Sequence, residues 1–393
     1  MKHPTSHIFE HTPDTLRAWC AERGMKPFRA QQILEWVYAH GECDPAKMSN
    51  LSARDRDILA AEMTFLSGRT LAHQVATDGT QKLLIQWSDG DPDDARDVAD
   101  PLAGTLSRSL PVLNAGGFDY AAGDPTRQTE CVMIPVDADE TREDGPTSAR
   151  RTACISSQVG CPVGCRFCAS GLSGLDGNLS AGRIVEQVWR LGRLEGVGRI
   201  SNIVFMGMGE PLSNFRPVVS AVRTIAAPWG LGIGARRITI STVGLPQAIE
   251  KLARELELPV TLALSLHAPN DELRRELIPW ANYTSIDELF QACRVWFEKT
   301  GREITLEYTL LHGVNDRPEH AQQLAGVAKK LRGNVNLIRY NEVGGLEFKR
   351  PETVAVREFQ EILRARGVNA HIRASRGRDI AAACGQLRHE TSV

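Results

Sequence analysis

The sequence predicts an α/β protein: a partial (β/α)6 barrel, preceded by a small N-terminal helical module and a short β segment. Three observations carry this reading. Strand and helix periodicities alternate from Ser180 to Arg373, residues 13–66 read as helical, and the period switches to two around Leu71–Trp87. Alternating βα units imply a parallel sheet, and about six of them are too few for a closed eight-fold barrel. The expected organisation is a helix-hairpin-helix-like module over 1–66, a β-hairpin and strand region over 67–148, and the barrel over 149–393.

In chain order, a helical period runs from Asp14 to Glu22 and breaks at Gly24-Met-Lys-Pro27. Phe28–Tyr38 follows with apolar residues at Ile33, Leu34 and Val37, and Gly41 ends it. Ser52 is an N-cap candidate ahead of Ile58, Leu59 and Met63. Modules of this kind grip nucleic-acid backbones or serve as plain packing domains. Thr77-Asp-Gly-Thr80 is a hairpin signal between Ala72–Val75 and Gln81–Trp87. Thr129–Pro135 reads as one more strand and 137–149 as a charged loop. Ser180 caps a helix through Leu191. Expected strands then lie at Ile200–Met206, Arg237–Ser241, Val260–Leu266, Glu303–Tyr308, Asn334–Ile338 and Asn369–Arg373. The helices between them are Phe215–Ala226, Pro246–Leu256, Ile286–Lys299, Glu319–Leu331 and Val354–Arg366.

Hydrophobic content of 42% and charged content of 24% suit a soluble globular chain. No apolar run spans a bilayer, and Met1-Lys-His-Pro-Thr-Ser-His lacks the apolar centre of a signal peptide, so a cytoplasmic protein without membrane partners is expected. The net charge of −2 is unevenly spread: Asp89–Pro146 holds 14 acidic and 4 basic residues, which leaves the rest of the chain at +8. A basic body with an acidic insertion over 89–128 is compatible with nucleic-acid binding, although groups such as Arg236-Arg237 and Lys329-Lys330 are equally solvated faces. The nine cysteines are odd in number and scattered, against a secreted disulfide framework and for metal or redox use. Cys20, Cys43 and Cys293, within apolar helical patterns, read as small buried hydrophobes.

Cys161, Cys165 and Cys168 are spaced C-x3-C-x2-C on a Gly- and Pro-containing loop. Such a loop wraps three thiolates around one corner of a small inorganic cluster. Iron–sulfur clusters are ordinarily held by four cysteines, so three leave one iron open to a substrate. The spacing resembles that of the radical S-adenosylmethionine (SAM) superfamily, in which SAM occupies that iron. A zinc site remains the alternative from spacing alone, with Cys154 or a distant His as fourth ligand.

Barrel chemistry sits at the C-terminal ends of the strands. There the sequence places Gly207-Met-Gly-Glu-Pro211, Ser241-Thr-Val-Gly244, Ser265-Leu-His-Ala268 and Asn341. Glycines let a ligand approach the backbone, and Glu210 is suited to an ammonium group. Polar groups at four strand ends are the mark of a binding mouth.

Taken together, Cys154-Ile-Ser-Ser-Gln-Val-Gly-Cys161, Gly207-Met-Gly-Glu-Pro-Leu212, Ser265-Leu-His-Ala-Pro-Asn-Asp271 and Ala382-Ala-Cys-Gly-Gln-Leu387 resemble the dual-specificity RNA adenine-C2 methyltransferase family, from about Glu130 onward and more faintly in the N-terminal module. The resemblance implies a radical SAM barrel acting on 23S ribosomal RNA, with transfer RNA a further candidate, and an electron donor such as flavodoxin or ferredoxin; a monomer is expected. It implies that Cys161, Cys165 and Cys168 hold a [4Fe–4S] cluster. SAM is then bound by Gly209, Glu210, Ser241, Ser265, Leu266, His267 and Asn341. Cys384 would carry the methyl group, Cys154 would later pair with it in a disulfide, and Glu130 would be the base. The chemistry makes sense of this equipment: adenine C2 lies between two ring nitrogens and is too electron-poor to attack a sulfonium methyl, whereas a thiolate does so readily. A second SAM would supply the deoxyadenosyl radical that activates the S-methyl group, and the closing disulfide would need reduction before the next turnover. C8 of the same base is the rival position. A zinc-stapled RNA-binding protein is the non-enzymatic rival. Gly177-Asn-Leu179, Arg183 and Arg339-Tyr340 depart from the family's pattern, and the acidic insertion has no counterpart in it.

Overall fold

In the computed structural model, which describes residues 1–87, 127–137, 149–172 and 174–387, ten strands form one mixed sheet. The expected acidic insertion over 89–128 and the charged loop over 137–149 lie almost wholly outside the described residues. The strands are β1 (Gly68–Val75), β2 (Gln81–Trp87), β3 (Gln128–Val136), β4 (Arg150–Cys154), β5 (Gln158–Gly160), β6 (Leu175–Asn178), β7 (Asn202–Phe205), β8 (Ile238–Thr242), β9 (Thr261–Ser265), β10 (Ile304–Leu310), β11 (Gly333–Arg339) and β12 (Ala370–Arg373). The sheet runs β1-β2-β3-β4-β7-β8-β9-β10-β11-β12, with β5 and β6 paired apart from it. From β1 to β4 the pairing is antiparallel; from β4 to β12 it is parallel throughout.

The parallel run therefore has seven strands rather than the expected six. The extra one is β4, whose Arg150-Arg151 start reads as a continuation of the charged loop before it. Tertiary pairing makes it a strand: Val132 faces Cys154 on one side, and Val204 faces Cys154 on the other.

The helices fall between parallel strands: α4 (Ala181–Leu191), α5 (Phe215–Ala226), α6 (Pro246–Glu255), α7 (Asp271–Leu277), α8 (Ile286–Thr300), α9 (Pro318–Ala328) and α10 (Thr353–Ala365). Their starts follow local chemistry. The Ser180 hydroxyl accepts from Arg183 N–H, Ser285 and Glu288 form a capping box, and Pro246 and Pro318 occupy the first helical turn, where a missing N–H costs nothing. Helix α7 was not expected: its seven residues are too few to show a period, and Asn270 fixes its start by accepting from Leu273 N–H. The strands and the inner faces of these helices share one continuous apolar core. Each fully buried Leu, Ile or Val there contributes about 1.5–3 kcal/mol.

Before the sheet come α1 (Pro13–Glu22), α2 (Arg29–Leu34) and α3 (Ala53–Glu62), the last capped by Ser52 as expected. Helix α2 passes into a π-helical turn, Glu35–His40, which Gly41 ends with φ of 70°. The module is pinned to α4: the Trp189 indole donates to Val37 C=O at 2.9 Å, and His7 reaches the buried Glu186 at 3.2 Å.

The C-terminal segment after β12 returns across the sheet to the opposite side. Gly377 N–H donates to Asp78 and Thr77 N–H to Asp379, tying the segment to the β1–β2 turn. Ala169 N–H donates to Gly385 C=O at 2.8 Å and Ser170 Oγ–H to Leu387 C=O, tying it to the cysteine loop. Val132, Cys154, Met208, Ala382 and Leu387 form a second, small apolar cluster beneath it. Among the described residues no helix is long and apolar enough to cross a membrane.

Candidate active site

The cysteine loop is held at both ends by the β5–β6 pair, with Val159 opposite Gly177, and by Cys161 N–H donating to Gly174 C=O at 2.8 Å. Gly160 is required at the entrance: its φ is +74°, and a Cβ there would stand 2.0 Å from the Gly174 carbonyl oxygen. Between these clamps Cys161, Cys165 and Cys168 all face one cavity, opposite Glu210, Ser241, Ser265 and His267. Burial pushes all three thiols up, and for Cys165 the neighbouring Cys168 and Cys161 add to it. Three crowded thiols of this kind deprotonate in company with a cationic partner, which the irons of a cluster provide.

Two further observations bear on what they could hold. Cys154, one candidate fourth zinc ligand, faces a different cavity. The fully buried Arg274 interacts with Cys165, and its Nη1 has no hydrogen-bond partner. A cation in that position offsets the negative charge of three thiolates on a cluster. The donor set, three thiols beside a buried cation, fits a three-cysteine [4Fe–4S] cluster.

Across the cavity, Gly209 turns with φ of +100°, and a Cβ there would meet Gln158 Cβ at 2.6 Å. This turn aims Glu210 inward. The Glu210 carboxylate accepts from Val243 N–H at 2.8 Å and Leu212 N–H at 3.0 Å, and burial still pushes its pKa up to about 7. The Ser241 and Ser265 hydroxyls lie 3.2 Å apart. His267 adopts φ of 57°, one of two non-glycine residues with positive φ among those described; the other is Ala381, three residues before Cys384. Strain of this kind concentrates at functional sites. His267 Nδ1 accepts from Thr309 N–H at 3.0 Å, and burial, then Arg274, push its pKa down to about 3. The ring is neutral, so its one proton is on Nε2, a donor available to a ligand.

Cys384 lines this cavity and also the adjoining one, which contains Cys154. Both thiols are free, so no disulfide joins them. Cys384 is exposed to the two cavities, whereas Cys154 is buried and pushed up to about 12 by burial and by Cys384, with Arg373 opposing. Cys384, though exposed toward the cavities, is also raised by desolvation from the cavity walls, again opposed by Arg373.

Three expected site residues, two SAM ligands and the base, stand outside the main cavity lining. Leu266 is fully buried outside the cavity lining and acts through its backbone, its C=O accepting from Arg274 Nε–H at 3.2 Å. Asn341 lines the thiol cavity and donates to Cys384 C=O at 3.3 Å. Glu130 lines neither cavity and pairs with Lys82 at 2.7 Å. Sequence reasoning missed Glu307, which lines the main cavity with Oε1 accepting from Asn336 and Oε2 buried without a hydrogen-bond partner. It sits in the middle of β10, where the register sets it beside Ser265.

Residues 155–325 match the radical SAM superfamily model, and residues 7–64 match the ribosomal RNA large subunit methyltransferase N-terminal domain. A dual-specificity RNA methyltransferase RlmN from Dichelobacter nodosus is 37% identical over 97% of this chain and 93% of its own length. A probable RlmN from Rhodopirellula baltica is 41% identical over 98% of this chain and 91% of its own. The chain belongs to the RlmN family. A solved radical SAM methyltransferase from Sphaerobacter thermophilus, 37% identical, superposes with a TM-score of 0.82 over 98% of this chain and all of its own. Two of the departures from the RlmN pattern have a local reason here. A Cβ on Gly177 would meet Met1 Cβ at 2.8 Å, and Arg183 Nη1 meets the His3 ring at 3.3 Å, so both positions accommodate the N-terminal residues.

Proposed function

We propose that this chain methylates C2 of an adenine in 23S ribosomal RNA through a methyl group carried on Cys384, with transfer RNA as a second substrate. The observation that carries the reading is the position of Cys384, shared between the cavity of the three cluster thiols and the cavity of Cys154. A [4Fe–4S] cluster with SAM at its open iron supplies, when bound, reductive cleavage of the sulfonium. Cys161, Cys165 and Cys168 would hold that cluster.

This chain's residues do the rest. Glu210 accepts the SAM ammonium, and the Nε2–H of His267 and the Ser241 and Ser265 hydroxyls hold its polar parts. Gly209 lets the cosubstrate approach the backbone. Cys384 takes a methyl group from one SAM by displacement, aided by the nearby Arg373 guanidinium, which favours its thiolate. Once that carbon is joined to the base, Glu130 accepts the C2 proton. Glu130 and Val132 point to the same face of β3, and Val132 packs with Cys154 beneath the Cys384 segment. The Cys154 thiolate then attacks the Cys384 sulfur and breaks its bond to carbon; the released carbon takes up a proton to give methylated RNA, leaving a disulfide that an external thiol reduces. Flavodoxin or ferredoxin is the expected electron donor, and the cytoplasm the expected compartment.

The test is methylation of protein-free 23S ribosomal RNA fragments by anaerobically reconstituted protein, with the modified base identified by mass spectrometry. The reading predicts 2-methyladenine. 8-methyladenine would move the chain to the rival chemistry, and a colourless, iron-free, inactive protein would return it to RNA binding alone.

A further inference from the structure

Beside the thiol cavity lies a second hollow that the reaction does not use. It is formed by the end of β11, the end of β12 and the first turn of α10, and four arginines line it: Arg339, Arg350, Arg357 and Arg373. It shares Arg373, Ala374 and Ser375 with the cavity of Cys154 and Cys384. We propose that this hollow binds a backbone phosphate of the RNA strand whose adenine reaches Cys384. The proposal rests on the RNA methyltransferase reading and adds the place where the strand itself is gripped.

The charge arrangement argues for an anion. No Asp or Glu lines the hollow or the thiol cavity next to it. None of the four guanidiniums forms a direct ion pair with a carboxylate of the described residues: neutral oxygens hold Arg339 and Arg350, whereas Arg373 donates to Met206 Sδ at 3.2 Å and lies in the field of the buried Glu307. Arg339 donates to Thr353 Oγ1 at 2.9 Å and to Pro351 C=O at 2.8 Å, and its Nε is buried without a partner. Arg350 donates to Tyr340 C=O at 2.7 Å and to Asn341 Oδ1 at 2.8 Å. Two acids stand at the rim: Glu342 accepts from the Arg350 backbone N–H at 3.3 Å, and Glu352 precedes α10; Glu307, which acts on Arg373, lines the main cavity instead. Burial, and then the like charges of Arg339 and Arg378, push Arg350 down to about 10. Four like charges so close together are stabilised by an anion, and a guanidinium fork matches phosphate geometry.

The helix end adds to this. Helix α10 has 13 residues, and its N-cap Glu352 makes no side-chain capping bond, so its first-turn N–H groups remain available beside the arginines. A base and its own phosphate lie within one nucleotide of each other. Two adjoining cavities, one with the reactive thiols and one cationic, match that spacing. Such a phosphate contact fixes register and orientation without reading sequence. Arg339 also stands where the resembled family has a proline-containing pair, so this chain strengthens the cationic lining at that point.

The test uses the full reconstituted protein and RNA-fragment affinity measured across a series of salt concentrations. Arg357→Gln, on the exposed face of α10, and Arg339→Gln should each weaken binding by a similar factor for fragments of different sequence. Each should also reduce the slope of log affinity against log salt by about 0.7–0.9, the loss expected for one phosphate contact. Arg339→Lys should restore most of the slope, which a merely packing role would not. Slopes unchanged in both Gln variants would overturn the proposal. Saturable binding of inorganic phosphate that Arg339→Gln abolishes, with RNA slopes intact, would assign the hollow to a small anion and also overturn it. Methyl loading of Cys384 in the same preparations reports on the catalytic reading separately.

Discussion

Glu186 joins the N-terminal module to the barrel, and its replacement by Gln should uncouple the two. The residue is fully buried on α4. Its Oε2 accepts from Ser67 N–H at 2.8 Å, Ser67 Oγ–H at 2.9 Å and the His7 ring at 3.2 Å. Its Oε1 accepts from Arg190 Nε–H at 2.8 Å and Gly68 N–H at 3.1 Å. Gln has the same shape, but one of its two ends is an amide NH2, which would face donors whichever way it points. Hydrogen bonds to a charged group contribute about 1.5–3 kcal/mol each, and breaking a buried ion pair from one side costs about 3–5 kcal/mol. We therefore expect Glu186→Gln to cost about 3–5 kcal/mol, or roughly two to three and a half orders of magnitude in the docking equilibrium at about 1.4 kcal/mol per tenfold. Hydrogen exchange of amides in α1–α3 reads this directly, since local opening is reported element by element. The pH dependence has a definite sign. Burial alone would raise the Glu186 pKa, but His7 and Arg190 outweigh it and hold the carboxyl below the ordinary 4.5. Its contribution is thus complete above about 4.5 and lost as pH falls through the lower folded value, and the Gln variant should lack that acid limb. Protection factors within tenfold of wild type would refute the reasoning.

Other outcomes follow from the same geometry. Gly209→Ala places a methyl group 2.6 Å from Gln158 Cβ at φ of +100°; SAM affinity measured by equilibrium dialysis should fall at least tenfold with the fold intact by circular dichroism. Because burial raises Glu210 to about 7, SAM binding should tighten as pH rises through that value and then level off, and Glu210→Gln should flatten the profile. Cys154→Ala should accumulate a covalent enzyme–RNA adduct on denaturing gels; full turnover without the adduct would remove Cys154 from its resolving role.

The parts of the molecule legible in sequence were those governed by local chemistry. Ser52, Ser180 and the Thr77–Thr80 turn announce their elements through their own hydrogen bonds, and C-x3-C-x2-C announces its loop. What escaped depends on distant partners. β4 is a strand because β3 and β7 flank it, and the β5–β6 pair is too short and too rich in glycine to show a period. Glu307 looks like an ordinary outward residue until register sets it beside Ser265. The resemblance places Leu266 and Asn341 among the SAM ligands; the fold shows Leu266 buried with its C=O accepting from Arg274, and Asn341 donating to the Cys384 carbonyl.

The most direct test of the account is the mass of the Cys384 peptide from reduced, cluster-loaded protein incubated with SAM in the absence of RNA. The account predicts one added methyl group on Cys384 and none on Cys154. An unmodified Cys384 in protein that goes on to methylate RNA would contradict it.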